Sequence, residues 1–448
     1  MSTFPKATIE GYPRIGANRE LKRALESYWA GRIDAETFRT TTRALRIDTY
    51  NHLRDLGLDE DYAIPADVAY YDQVLETGLT VGLIAGGTDL DEEFALARGN
   101  DTRVPLEMTK WFDTNYHYLV PEVSAGQDIT PAPERIVRLV EEAREAGHKV
   151  RPALVGPVTL LALSKPVEWS LLDKLVDAYA AVFAALKDAG VEWLQVAEPA
   201  LVADLSTPDA ELAKYTEQAW SKLLASDNRP NVYVTTPYGS AREGLNALAA
   251  VAPEAVHVDL SPWTLDADAD YPARVASAFE GKDTALVAGL IDGRNVWAAN
   301  LRDKVEVLNK LGAASVSTST SLQHVPHTLN AEKNLPVDVA PWLSFADEKI
   351  EEITALVAGE SEAPEAFGRS DRAVRTRAES TRIHNAAVTD RVAQLPEGAV
   401  QRQPEFAERQ EAQKALGLPQ LPTTTIGSFP QTTEIRKARA DHLSLIHI

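Results

Sequence analysis

The feature that most constrains this chain is an alternation of short β-rich runs with segments of helical period. From about residue 149 the runs KVRPALVG, WLQVAEPAL, NVYVTTPYG, AVHVDLS, TALVAGLIDG and ASVSTSTSL follow one another. Between them lie LLDKLVDAYAAVFAALKDAG, AELAKYTEQAWSKLLA, REGLNALAAV and NVWAANLRDKVEVLNKLG. Gly190 and Gly312 close two of these segments, where a left-handed C-terminal residue favours glycine. Strands alternating with helices predict parallel β/α units. Six units are readable after residue 149, and the first 148 residues have room for two more, around KATIEGYPRIG and YAIPADVAYYD. Eight units close a (β/α)8 TIM-type barrel. A doubly wound open sheet is the competing α/β architecture, but no Gly-rich dinucleotide fingerprint follows any run. The expectation is a barrel over residues 1–341.

Residues 342–422 read differently. Acidic helices, DEKIEEITALVAGE and AVRTRAESTRIHNAAVTDRVAQL, give way to Pro-bearing polar connections, as expected of a helical linker. Near Thr423 the strings return to those of the start. ATIEGYPRIGANRELKRA aligns with TTTIGSFPQTTEIRKAR: Thr8-Ile9 with Thr425-Ile426, Tyr12-Pro13 with Phe429-Pro430, and Glu20–Ala24 with Glu434–Ala438. An internal repeat of this kind implies a second barrel. Its strand, Gly-Ser turn and first helix are expected over 423–441. The terminal string LSLIHI can be written in the codons of a DNA-library adapter. Residues 442–448 are therefore expected to be an artefactual tail on a truncated chain, against the plain reading of a natural apolar terminus.

Composition narrows the function classes. The formal charge is −21 and no long Lys/Arg block appears, which disfavours generic binding to nucleic acid or anionic membrane. An anionic small ligand would need a local basic pocket. Cysteine is absent, so the chain offers no disulfide, thiol nucleophile or thiolate metal ligand. The start, MSTFPKATIEGYPRIG, lacks a signal peptide's charged n-region and apolar run. No apolar run approaches the ~18 residues of a membrane span, so a cytoplasmic location is expected.

Four stretches can carry chemistry. In GYPRIGANRELKRALESYWAG, Asn18 reads as a helix N-cap and Leu21, Leu25 and Tyr28 as an apolar stripe. Arg19, Lys22 and Arg23 then sit on other faces, with Arg14 upstream: either an anion site at a helix start or a solvated basic face partnered by Glu20 and Glu26. PLEMTKWFDTNYHYLVPE concentrates Lys110, Trp111, Phe112, Tyr116, His117 and Tyr118 with few strand or helix signals. It reads as a loop that either meets a flat, partly anionic ligand or plugs one barrel end. Glu198 of QVAEPAL falls at a strand C-terminus, the catalytic face of such barrels, and could pair with Glu107 in a glycosidase arrangement. His324 and His327 have a spacing that can ligate a metal, but no third ligand is apparent.

Taken together, YPRIGANRELK, ESYWAG, EMTKWFDTNYHYLVPE, GPVT, EPALV, HVDL, GLIDGRNVW, STRIHNAAV and TTTIGSFPQTTEIRKAR resemble the cobalamin-independent methionine synthase family up to about Asp441. The resemblance implies two related (β/α)8 barrels joined by a helical linker. It also implies methyl transfer from 5-methyltetrahydropteroyl-polyglutamate to homocysteine, without cobalamin. Zinc would turn the homocysteine thiol into a thiolate, and a proton donor would assist the amine leaving group. The family's zinc ligands lie in the second barrel and are absent from this chain. Arg19, Glu20, Leu21, Lys22 and Lys110 resemble positions that hold the folate and its glutamate tail. Ile426, Gly427 and Ser428 resemble the homocysteine-binding turn. Ala197 departs from the family's common DEPAL string, and no catalytic residue is expected here. The resemblance implies a monomer that is inactive as this chain alone; the alternative is a stand-alone folylpolyglutamate-binding barrel.

Overall fold

The computed structural model describes residues 3–66, 69–87 and 89–444. It divides into two compact units, Met1–Glu379 and Ser380–Ile448.

Among the described residues, nine strands organise the first unit. They are β1 (Pro65–Ala66), β2 (Met108–Lys110), β3 (His117–Leu119), β4 (Arg151–Val155), β5 (Trp193–Ala197), β6 (Asn231–Thr236), β7 (Ala255–Asp259), β8 (Ala285–Ile291) and β9 (Ser315–Thr318). Seven of them form one parallel sheet in the order β1-β4-β5-β6-β7-β8-β9. The order simply follows the chain. A doubly wound sheet would reverse at a switch point, so that alternative is set aside in favour of a curled, barrel-type sheet. β2 and β3 form a separate antiparallel hairpin. The sequence reading made that stretch a loop, because two three-residue strands are too short to show alternation.

The expected unit at KATIEGYPRIG is a single parallel bridge, Ala7 to Val316, rather than a strand. Thr8 N–H donates to Val316 O at 3.0 Å, and Val316 N–H donates to Lys6 O at 2.8 Å. On the other side, the Thr8 hydroxyl donates to Ala63 O at 2.6 Å. The segment thus touches both sheet edges. Side chains replace most of its ladder: Ile9 O accepts from Arg151 Nη2 at 3.2 Å, Glu10 N–H donates to Thr318 Oγ1 at 3.1 Å, and Glu10 O accepts from Gln195 Nε2 at 3.1 Å. Buried backbone groups need partners, and here the neighbouring strands' side chains supply them.

The helices between strands form as their periodicity dictates. Leu172–Asp188 buries Leu175, Val176, Tyr179, Val182, Phe183 and Leu186 on one stripe, each worth about 1.5–3 kcal/mol of transfer free energy. Gly190 (φ 83°) and Gly312 (φ 65°) adopt the left-handed conformation expected after their helices. Helices Ala346–Ala358 and Pro364–Ala378, placed in the linker by sequence, lie inside the first unit. They bury Ile350, Ile353 and Phe367 in its core.

The second unit contains helices Ala386–Ala393, Phe406–Gln413 and Thr433–Leu443. Thr432 caps the last, its hydroxyl accepting from Ile435 N–H at 3.3 Å. The strand expected before the Gly427-Ser428 turn is absent among the described residues of this unit. A strand needs a neighbour to take its N–H and C=O groups, and no strand is described there to pair with it. Of the expected tail, residues 445–448 lie outside the described residues. No described helix is long and apolar enough to cross a membrane.

Arg151 is fully buried, with Gln195 Oε1, Tyr62 O, Thr8 Oγ1 and Ile9 O as acceptors. Removing one side of such a buried network costs about 3–5 kcal/mol. Arg151→Met is therefore expected to lower the urea unfolding free energy by that amount. A change below about 1 kcal/mol would contradict the role assigned to this side chain.

Candidate functional site

Beside helix Glu20–Trp29 lies a cleft of about 420 Å³ whose walls include Arg14, Leu21, Lys22, Trp29, Tyr70 and Tyr116. The helix is seated by Ala24, Leu25, Tyr28 and Trp29 against Phe38 and Phe94; of the expected stripe, Leu25 and Tyr28 belong to this seat, while Leu21 lines the cleft instead. Its start differs from expectation. The N-cap is Arg19, in the left-handed conformation at φ 64° and without a side-chain cap. Asn18 is not the cap; its N–H donates to Glu20 Oε2 at 3.0 Å. Leu21 N–H is taken by Ile15 O at 3.1 Å. That leaves fewer free donors for an anion than a regular helix start. Burial alone would raise the Glu20 carboxyl, but hydrogen bonds from its own and Asn18 N–H groups outweigh it and hold the carboxyl below its ordinary value.

Of the tail-binding residues expected from sequence, Leu21 and Lys22 line the cleft. Arg19 and Glu20 stand at the helix start, outside its lining. Lys22 makes an exposed i,i+4 pair with Glu26 at 3.7 Å, worth a few tenths of a kcal/mol. Lys110 is exposed on β2 opposite His117, and the same hairpin region delivers Tyr116 to the cleft. Arg14 reaches Tyr116 OH, Gln73 Oε1 at 3.4 Å and Gln323 Oε1 at 3.5 Å. Sequence reading missed Tyr70, Tyr71 and Gln323. The only signal was the aromatic run in AYYD, absorbed there into a presumed strand.

Trp111 and Tyr118 are buried in the core, while Tyr116 faces the cleft. Trp111 Nε1 donates to Tyr238 OH at 2.9 Å, and Tyr238 OH lies 2.9 Å from His324 Nε2. Burial, aided by Arg294, pushes the His324 imidazole down to about 4. His327 belongs to another network: its Nδ1 meets Tyr12 OH at 3.0 Å, and Tyr12 OH donates to Asp347 Oδ1 at 2.6 Å. The two histidines therefore do not share a metal site. Among the described residues no group of three or more His, Cys, Asp or Glu side chains could hold a metal ion.

The carboxylate pair imagined from sequence is also dissolved. Glu107 is exposed and salt-bridged to Lys165 at 2.6 Å. Glu198 is fully buried beneath the start of helix Pro157–Ala162, where it accepts from Thr159 N–H at 2.8 Å, Thr159 Oγ1 at 2.7 Å, Val158 N–H at 3.3 Å and Trp220 Nε1 at 3.2 Å. A Cβ on Gly156 would come within 2.2 Å of its carboxyl carbon, so Gly156 is what lets this carboxyl dock. Burial pushes Glu198 up to about 7 against the lowering effect of those bonds. Its place is structural. In the second unit, Ile426 is fully exposed, and a Cβ on Gly427 would meet nothing among the described residues.

Residues 6–316 match the family described as "Cobalamin-independent synthase, N-terminal domain". The chain is 44% identical, over 97% of its length, to the 5-methyltetrahydropteroyltriglutamate–homocysteine methyltransferase of Rhodococcus jostii. It is 42% identical over 97% to the Streptomyces coelicolor protein of the same name. It spans 58% of the length of each of these relatives. Among solved structures, a putative vitamin-B12-independent methionine synthase from Listeria monocytogenes is similar in fold. Its TM-score is 0.51 at 12% identity, covering 82% of this chain and 99% of that one.

Glu198 provides a pH test. A carboxyl whose pKa is higher folded than unfolded favours the folded state at low pH and loses that contribution as pH rises through its folded value. Its share of stability is expected to fall between about pH 4.5 and 7. Urea midpoints across that range should therefore differ in slope between the wild type and Glu198→Gln, the variant lacking this component. Parallel profiles would show that folding does not raise the Glu198 carboxyl above its unfolded value.

Proposed function

The chain belongs to the cobalamin-independent synthase family through its N-terminal domain, and from that premise we propose that it supplies the folate- and polyglutamate-binding half of a methyltransferase. The reaction moves the methyl group of 5-methyltetrahydropteroyl-polyglutamate to homocysteine sulfur. A C–N bond breaks as a C–S bond forms, and methionine results. The carrying observation is the cleft of about 420 Å³ that sets Lys22 beside Trp29, Tyr70 and Tyr116. Aromatic walls suit the flat part of such a ligand, and the lysine suits a carboxylate.

In this reading Arg19, Glu20, Leu21, Lys22 and Lys110 hold the folate and its glutamate tail. Lys110 and Lys22 act from two sides, the hairpin and the helix. A polyanionic tail approaching a chain of charge −21 depends on such local cations, so its binding should weaken with salt. Ile426, Gly427 and Ser428 would form the homocysteine turn. The protein would be a cytoplasmic monomer, with the barrel a full (β/α)8 in which the Ala7 segment takes the eighth place and a second barrel begins near Thr423. With no cysteine and no metal-holding cluster among the described residues, no zinc step is assigned to this chain. Its residues bind and orient. A second reading, a barrel that captures folylpolyglutamate without catalysis, draws on the self-contained core of Met1–Glu379.

Calorimetric titration of the 448-residue chain with the triglutamate and monoglutamate forms tests the proposal. The triglutamate should bind more tightly. Lys22→Met and Lys110→Met should each weaken it about five- to tenfold, near 1–1.4 kcal/mol, with little effect on the monoglutamate. Equal affinity for both forms, or no saturable binding, would overturn it. Purified free of host enzyme, the chain alone should form no methionine.

A further inference from the structure

A second cavity, of about 70 Å³, opens at the C-terminal ends of the strands and shares Gln323 with the cleft. Register explains it. Val155, Ala197 and Thr235 are partners across β4, β5 and β6, and all three line it. Ala197 presents only a methyl group in that row, which leaves room beside Glu10 and Gln195. This is the position where the sequence departs from DEPAL.

The polar groups around this space are not fully used. Thr235 is 1% exposed, and its Oγ1 has no hydrogen-bond partner among the described residues; a buried hydroxyl left unmet is destabilising. Glu10 Oε1 accepts from Tyr233 OH and Ser317 Oγ, while Oε2 accepts from Gln195 Nε2 at 3.2 Å and has capacity for another donor. Trp111 spends its N–H on Tyr238, whose hydroxyl meets His324, so these two side chains offer the cavity mainly their rings. Among the described lining residues Glu10 is the charged one. Of the basic groups around it, Arg151 is directed to Tyr62, Thr8, Ile9 and Gln195, Arg14 to Gln73 and Gln323, and His257 Nε2 lies 4.0 Å from Glu10 Oε1 while also meeting Thr318 O.

We propose that this cavity binds a small primary ammonium ion, with its N–H groups donated to the Glu10 carboxylate and the Thr235 hydroxyl and its carbon part against Trp111 and Tyr238. Carboxylate and hydroxyl acceptors beside aromatic faces recognise an ammonium rather than an anion. The volume admits a ligand of only a few heavy atoms. The site does not depend on folate binding at the cleft.

The test titrates the full chain with ethylamine and ethanolamine at neutral pH, using ethylene glycol and propionate as neutral and anionic controls, by calorimetry and ligand-observed NMR. The ammonium ions should saturate one site and the controls should not. Thr235→Val, close in shape, should weaken binding about tenfold. Ala197→Leu, which fills the space, should abolish it with circular dichroism unchanged. Absence of saturable amine binding, equal binding of the diol, or wild-type affinity in Thr235→Val would each overturn the assignment. If Ala197→Leu fails to fold, the Thr235→Val result and the diol comparison decide alone.

Discussion

Arg151 opens β4, next to the edge strand β1, with no exposed surface, and burial holds its guanidinium below the ordinary arginine value. Its hydrogen bonds run to the N-terminal segment at Thr8 and Ile9, to Tyr62 just before β1, and to Gln195 on β5. Gln195 then turns its amide nitrogen to Glu10, and Glu10 reaches Tyr233 on β6 and Ser317 on β9. A buried charge is tolerated only when its donors are satisfied. Here the satisfaction is distributed over the segment that would otherwise leave a gap between the sheet edges. The first β/α unit has almost no ladder of its own, and this network stands in for one.

The cleft follows from that anchor. From Glu10 the chain continues through Tyr12, tied to Asp347 and His327, to Arg14, tied to Gln73 and Gln323, and on to the helix at Glu20. Each tie uses a partner distant in sequence, and Arg14 also meets Tyr116 OH of the hairpin region, so the helix bearing Leu21 and Lys22 and the residue Tyr116 line one cleft. Binding groups on loops and helix ends are positioned by the rigid sheet beneath them. The cations are placed by the fold, and the overall negative charge does not decide what the cleft can hold.

Much of the architecture was legible because it is periodic. The strands from β4 to β9 and the helix Leu172–Asp188 announce themselves by composition, and Gly190 and Gly312 mark helix ends through a backbone conformation few other residues accept. What was hidden depends on contacts between distant residues. Asn18 looks like a cap, but Gly16 (φ 82°) has already turned the chain and Glu20 takes its N–H. The hairpin strands at Met108 and His117 are too short for alternation to show. Glu198 sits where a catalytic carboxylate might, and only the donors from Val158, Thr159 and Trp220 reveal a helix-docking role. Lys22 was legible as part of a motif; Tyr70 and Gln323, its neighbours across the cleft, carried no local signature.

The central claim is locational: the ligand occupies the space between the helix after Arg14 and the aromatic hairpin. Hydrogen exchange of the whole chain, with and without 5-methyltetrahydropteroyl-triglutamate, tests it most directly. The account predicts new protection in peptides covering residues 13–29 and 108–118, with β4–β8 unchanged. Protection centred instead on residues 340–373, which supply most of the lining of a separate cavity of about 460 Å³, would contradict it.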